Sequence, residues 1–145
     1  MEKRIDLRES IKYVAQKFLE KTKGKEIYLI SHFDTDGITS AAILINTLKK
    51  LDRKFSIKIV KSLEENFLYT LHKEKIILFL DLASGSLNFI EKAGLKDVFI
   101  IDHHEVIQEV PRDVEIVNPW FNGKEKISSA GLAFLFCKEI NSDLT

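Results

Sequence analysis

Asp34 and Asp36 stand two residues apart ahead of Gly37, in the run His32-Phe33-Asp34-Thr35-Asp36-Gly37, so both carboxylates can face one cavity. A second cluster, Asp102-His103-His104, adds imidazole nitrogen, and a lone Asp81 closes the run KIILFLD. Mixed Asp and His ligands suit Mn²⁺ best. Mg²⁺, which prefers an all-oxygen shell, is the second candidate, and the lack of a thiolate argues against structural zinc. Two ions about 3.5–4 Å apart activate water and offset the charge of an in-line phosphoryl displacement, and Asp81 could bridge such a pair. Without cations, carboxylates gathered this closely would repel and raise one another's pKa.

Each cluster terminates an apolar run (EIYLIS, KIILFLD, DVFII), the pattern of a buried strand in a parallel sheet. The carboxyl ends of such strands line a single crevice, where ligands bind. Strands are expected at 26–31, 75–82 and 97–102, with a more exposed one at 55–60 and a last one at 115–119 stopped by Pro119. Helical periodicity covers 6–22, then Ile38 to Leu51, then Ser86 to Ala93 with Gly94 as its C-cap, and finally Ser128 to Ile140. A short helix is expected within 64–73. Alternating strands and helices predict an α/β fold, a mostly parallel sheet flanked by helices, in one domain over residues 1–145. The last helix is apolar on several sides (Leu132, Phe134, Leu135, Phe136, Ile140), which predicts cover on more than one face, including from outside this chain.

Two helix N-termini are expected at the same edge, one at Thr39 and Ser40 and one at Ser128, Ser129, Ala130 and Gly131. Exposed N–H groups there suit phosphate, and plain N-capping is the competing reading.

The chain has 145 residues, 45% of them apolar and 30% charged, with 22 acids balancing 22 bases. It is long enough for a core, and its neutral field would not by itself attract nucleic acid, so phosphate binding needs local charge or metal. The single cysteine, Cys137, lies in an apolar helical stretch and reads as a buried, inert thiol. It forms no internal disulfide, as in a reducing cytoplasm. No apolar run reaches the ~20 residues that span a membrane, and the charged N-terminus is not a signal peptide. Cytoplasmic localisation and no membrane partner are expected. Abundant Lys, Glu and Ile lean towards a thermophile.

Other readings of these residues are weaker. Counting Asp34 as the first position of a calcium loop puts Ile45 where a bidentate Glu is required, so that reading fails. The first motif also resembles that of haloacid-dehalogenase-like phosphatases, which would not require Asp102-His103-His104, and no later acidic Gly-Asp pair is present. His72 reads as solvated. Trp120 and Phe121 could stack a base, although a loop anchored into the core is the commoner role. The basic residues Lys49, Lys50, Arg53, Lys54, Lys58 and Lys61 fit a solvated face as well as a nucleic-acid path.

Taken together, HFDTDGITSAA, the strand-closing Asp81, IDHH and VNPWFNGKEKISSAGLAF resemble the DHH phosphoesterase superfamily, in particular its RecJ-like, archaeal branch, over about residues 26–140. The resemblance implies that Asp34, Asp36, Asp81 and His103 ligate metal, with Asp81 bridging. It also implies that His104 sits beside the scissile phosphate, that Asp102 supports the histidines, and that His32 ligates or supports. Asn118 and Pro119, with Ser128, Ser129 and Gly131, would shape the substrate side.

The implied activity is a Mn²⁺-dependent phosphodiesterase, an exonuclease on single-stranded DNA or RNA. The alternatives are a non-catalytic replication or repair scaffold, and a DHH small-molecule or oligonucleotide phosphatase. RecJ-like proteins continue into a fourth aspartate motif and a smaller C-terminal domain that grips the strand, whereas Asp143 near the end of this chain is in the wrong context for that ligand. The expectation is therefore an N-terminal catalytic half: the product of a split gene that assembles with a second polypeptide, an N-terminal fragment, or a degenerate relative. Replication proteins such as GINS are further partners that the resemblance implies.

Overall fold

The computed structural model describes residues 6–141; Asp143 and its neighbours lie outside that range. Each apolar run forms a strand: β1 (Ile27–His32), β2 (Phe55–Val60), β3 (Ile76–Leu80), β4 (Val98–Ile101) and β5 (Val114–Val117). They pair in parallel throughout, in the order β2-β1-β3-β4-β5. The chain leaves β1 towards β2 on one side and later returns with β3 on the other, so the strand order reverses at β1 and β3. A crevice opens at such a point, beyond the carboxyl ends of the strands. β3 is central and every residue from Ile76 to Leu80 is buried, whereas β2 lies at an edge, as expected, but exposes Ile57 and Ile59 where its alternating sequence predicts a buried face.

Side chains alternate across the sheet into two cores. Leu29, Leu78, Leu80, Phe99, Ile101 and Val117 meet α1 (Leu7–Lys21), α2 (Thr35–Lys50) and α5 (Ser129–Ile140). Ile30, Ile77, Phe79, Val98 and Ile100 meet the other layer, where α3 (Glu65–Leu68) and α4 (Leu87–Lys92) lie. Phe18 of α1 joins the first core edge-on to Phe99 and Phe136, with ring centroids 5.2 and 5.4 Å away. Edge-on pairs of this kind add about 0.5–1.5 kcal/mol beyond burial alone.

Three expectations are corrected. α2 begins at Thr35, not Ile38, because Asp34 caps it by accepting the Gly37 N–H at 2.9 Å. Thr39 and Ser40 therefore fall in its second turn, and the Ser40 hydroxyl donates to Asp36 O at 2.7 Å. The helix expected within 64–73 contracts to Glu65–Leu68. As expected, α5 is covered on more than one face: Leu132, Ala133, Phe136, Cys137 and Ile140 are buried in the first core, and of its apolar residues only Phe134 is strongly exposed, at 53%. Pro119 ends the extended segment by starting a 3-10 turn, Pro119–Phe121, which Asn118 caps by accepting the Trp120 N–H.

Gly37 serves a close approach rather than a special turn. A Cβ there would lie 2.1 Å from His32 O, so only glycine lets the first turn of α2 press against the end of β1. The Ser31 hydroxyl clamps the same junction by donating to Gly37 O at 2.7 Å.

Candidate metal centre

The two carboxylate oxygens of Asp81 face two different sets of donors. On one side, His32 Nδ1 lies 3.7 Å from Asp81 Oδ2 and 3.0 Å from Asp34 Oδ2. On the other, His103 Nε2 lies 3.4 Å from Asp81 Oδ1 and 3.4 Å from Asp36 Oδ2. β1 and the start of α2 supply His32, Asp34 and Asp36, the end of β3 supplies Asp81, and the segment after β4 supplies His103. Asp81 is held in the left-handed region at φ 61°. Aspartate enters that region more readily than most residues other than glycine.

Two buried atoms here have no hydrogen-bond partner, Asp81 Oδ2 and His32 Nδ1. The opposite nitrogen of His32, Nε2, lies 3.1 Å from Lys61 O, an acceptor, so Nε2 carries the proton and Nδ1 presents a lone pair. A lone pair, an orphan carboxylate oxygen and the Asp34 carboxylate aimed at one point repel one another unless a cation lies between them. His32, Asp34 and Asp81 therefore fit a divalent ion, and their oxygen and imidazole donors suit Mn²⁺ or Mg²⁺.

The electrostatics agree. Burial first, then the neighbouring Asp34 and Asp36 carboxylates, push the Asp81 carboxyl up to about 7, although the Ser129 hydroxyl, donating at 2.8 Å, works the other way. Asp34 is held below the usual carboxylate range, chiefly by the Gly37 N–H.

Asp102 has a different part. It is buried, its Oδ1 accepts from His104 Nδ1 at 2.6 Å and from the His103 N–H at 2.8 Å, and its Oδ2 accepts from the Ser84 N–H at 3.3 Å. With both oxygens engaged, it orients the histidines. Burial works to raise its pKa, but the bonds from His104 and Ser84 outweigh burial and hold it low. The same His104–Asp102 bond, against some burial, pushes the His104 imidazole up to about 9. His104 thus keeps Nδ1 on Asp102 and has Nε2 free for a phosphate oxygen.

The expected phosphate site at the start of α5 is filled from within. Ser129 and Ala130 donate their N–H groups to Asp36 at 3.1 and 2.9 Å, and Gly131 N–H goes to the capping Ser128 hydroxyl at 3.0 Å. Asn118 is buried and spent on the scaffold: its Nδ2 donates to Ser84 Oγ at 3.0 Å and to His104 O at 2.8 Å. Sequence reading missed two of these positions and gave Ser129 another role, on the phosphate rather than on Asp81 and Asp36. Ser84 and the Lys61 carbonyl carried no sequence signal, and Ser129 was visible only as part of a helix start. His72 is exposed, as expected. Of the basic run, Lys49 and Lys50 end α2 and Arg53 and Lys54 precede β2, on the sheet edge opposite the site; only Lys61 follows a strand into it.

A parallel α/β domain with a carboxylate–imidazole cluster at its switch point defines a candidate metal-binding domain. The chain belongs to the DHH family: the model of that family's N-terminal domain matches residues 26–145. It is 28% identical to an uncharacterized protein of Methanocaldococcus jannaschii, over 96% of this chain and 34% of that one. It is 31% identical to the putative SPbeta prophage-derived single-strand DNA-specific exonuclease YorK of Bacillus subtilis, over 77% of this chain and 21% of the relative. Against the single-stranded-DNA-specific exonuclease RecJ of Thermus thermophilus it is 32% identical, over 78% of this chain and 18% of RecJ. The crystal structure of that RecJ with Mn²⁺ superposes with a TM-score of 0.75 at 25% identity, covering 93% of this chain and 21% of RecJ. The chain therefore spans about a third or less of the length of these relatives. Among the described residues no helix is long and apolar enough to cross a membrane.

Proposed function

We propose that this domain is the catalytic part of a Mn²⁺-dependent phosphodiesterase that removes nucleotides from single-stranded DNA or RNA. One observation carries the reading: Asp81 turns one oxygen to His32 and Asp34 and the other to Asp36 and His103, the arrangement of a carboxylate shared by two cations. His32, Asp34 and Asp81 would hold one ion, and Asp36, Asp81 and His103 the other. Bound there, the ions supply Lewis acidity and lower the pKa of water.

The protein's own contribution is positional. Asp102 fixes His104 in its protonated form, so that its Nε2–H is ready to donate to a phosphate oxygen and stabilise charge developing there. The buried floor formed by Ser84, Asn118 and Asp102 keeps that donor in place. The relatives extend well beyond the matched region, and that remainder, on the same chain or on a second polypeptide, would grip the strand.

Calorimetric titration with Mn²⁺, followed by digestion of an end-labelled single-stranded oligonucleotide with and without a complementing C-terminal polypeptide, tests this. The expected result is binding of two ions that Asp81→Ala abolishes, together with Mn²⁺-dependent shortening of the label. A chain that takes up no Mn²⁺ would overturn the reading, and the non-catalytic scaffold would replace it.

A further inference from the structure

Beside His103 a cleft of about 460 Å³ is lined by His103, Lys124, Glu125, Lys126, Ile127 and Ser128. The loop that builds it is fixed in an unusual way. Gly123 and Lys124 both lie in the left-handed region, at φ 95° and 61°. The N–H groups of Asn122 and Lys124 both donate to Pro119 O, at 2.9 and 2.8 Å. Lys124 Nζ rests 4.3 Å from the centroid of the Trp120 ring. Two consecutive left-handed residues, one of them not a glycine, are adopted only where the surrounding bonds enforce them. Among the described residues, neither Lys124 nor Lys126 is paired with a carboxylate.

The metal floor is acidic, with Asp34, Asp36 and Asp81, whereas this adjoining wall carries two lysines and borders on an aromatic ring. Cationic groups beside aromatic side chains are what a single-stranded nucleic acid chain requires. We propose that Lys124 and Lys126 hold the phosphate that neighbours the scissile one, so that the cleft selects a nucleotide chain over a substrate with a single phosphate. This rests on the phosphodiesterase reading above and adds to it the residues that recognise chain length. Trp120, the only tryptophan, borders the cleft through the Lys124 ammonium that lies over its ring.

The test measures anisotropy of a fluorescein-labelled oligothymidylate on the chain, with Ca²⁺ in place of Mn²⁺, across a salt series. Lys124→Gln and Lys126→Gln are each expected to weaken binding several-fold and to flatten the slope of log K against log salt by about 0.7. Lys50→Gln, at the opposite edge, should change neither. Lysine variants that bind with unchanged affinity and slope overturn the inference, as does a wild-type chain that binds the oligomer no better than thymidine monophosphate. Mn²⁺ titration of the same variants separates the two ideas. Lysine variants should bind Mn²⁺ as wild type does, whereas loss of the phosphodiesterase reading would appear as a wild-type chain that binds no Mn²⁺.

Discussion

Asp36 closes the N-terminus of α5 from the first turn of α2. Its Oδ1 accepts the Ala130 N–H at 2.9 Å, and its Oδ2 accepts Ser129 N–H at 3.1 Å while lying 3.4 Å from His103 Nε2. One carboxylate thus performs a structural task, capping a helix from a distance, and a chemical one, facing the proposed second ion. A carboxylate at a helix N-terminus also interacts favourably with the helix dipole.

Replacing it separates the two tasks. Asp36→Ala should lower stability by about 0.5–2 kcal/mol, the worth of a helix cap. Asp36→Asn should recover only part of that loss, because its one amide oxygen accepts one N–H while its NH2 group faces the other, and should not recover Mn²⁺ binding at the second position. Urea unfolding and Mn²⁺ calorimetry on both variants check this, and a fully recovered second ion in the Asn variant would remove Asp36 from the ligand set.

Gly37→Ala should be poorly tolerated. The added methyl meets the backbone of His32 at 2.1 Å, and backbone cannot swing aside as a flexible side chain would. Overpacking of this kind costs about 1–3 kcal/mol, and here it also displaces His32. A shift in the urea midpoint together with weakened Mn²⁺ binding is expected. Gly85→Ala, which meets nothing within 4 Å, should change neither.

Metal-free stability should depend on pH in two separate windows. The Asp81 carboxyl rises from its ordinary 3.8 to about 7 on folding, so the folded state binds its proton more tightly. Its contribution therefore improves as pH falls from about 7 towards 4, and ionised Asp81 destabilises the metal-free fold above 7. The His104 imidazole rises from 6.5 to about 9, so its pairing with Asp102 is fully present below 6.5 and is lost as pH rises through 9. Thermal melts in EDTA from acid to alkaline pH should show both slopes. Asp81→Asn should erase the first and leave the second, and saturating Mn²⁺ should reverse the preference for acid.

Cys137 should not react with a thiol reagent while the chain is folded. It is buried, and burial pushes its thiol up to about 11, so little thiolate forms near neutrality. Labelling with a disulfide reagent is expected to proceed only in denaturant, and fast labelling of the native chain would contradict the packing of α5.

Much of this was legible in the residues. The parallel sheet follows from EIYLIS, KIILFLD and DVFII, because only strands buried on both faces are apolar throughout. The gathering of Asp34, Asp36, Asp81 and His103 then follows from where those strands end. What remained hidden depends on contacts between segments distant in sequence. No pattern near Ser129 announces that its hydroxyl will reach Asp81 or its N–H Asp36, so the residues alone left a phosphate site and plain N-capping both open at the α5 N-terminus, which is capped. The start of α2 was misplaced because Asp34 was read only as a ligand, although an Asp three residues before a helical N–H is equally a cap.

The docking of α5 ties the electrostatics of the acidic centre to a segment far along the chain from its carboxylates. Until Ser129 has emerged and packed, Asp36 lacks its N–H donors and Asp81 lacks its hydroxyl, leaving three neighbouring carboxylates to repel one another. A polypeptide clipped before residue 128 would thus carry every proposed ligand and still hold cations poorly.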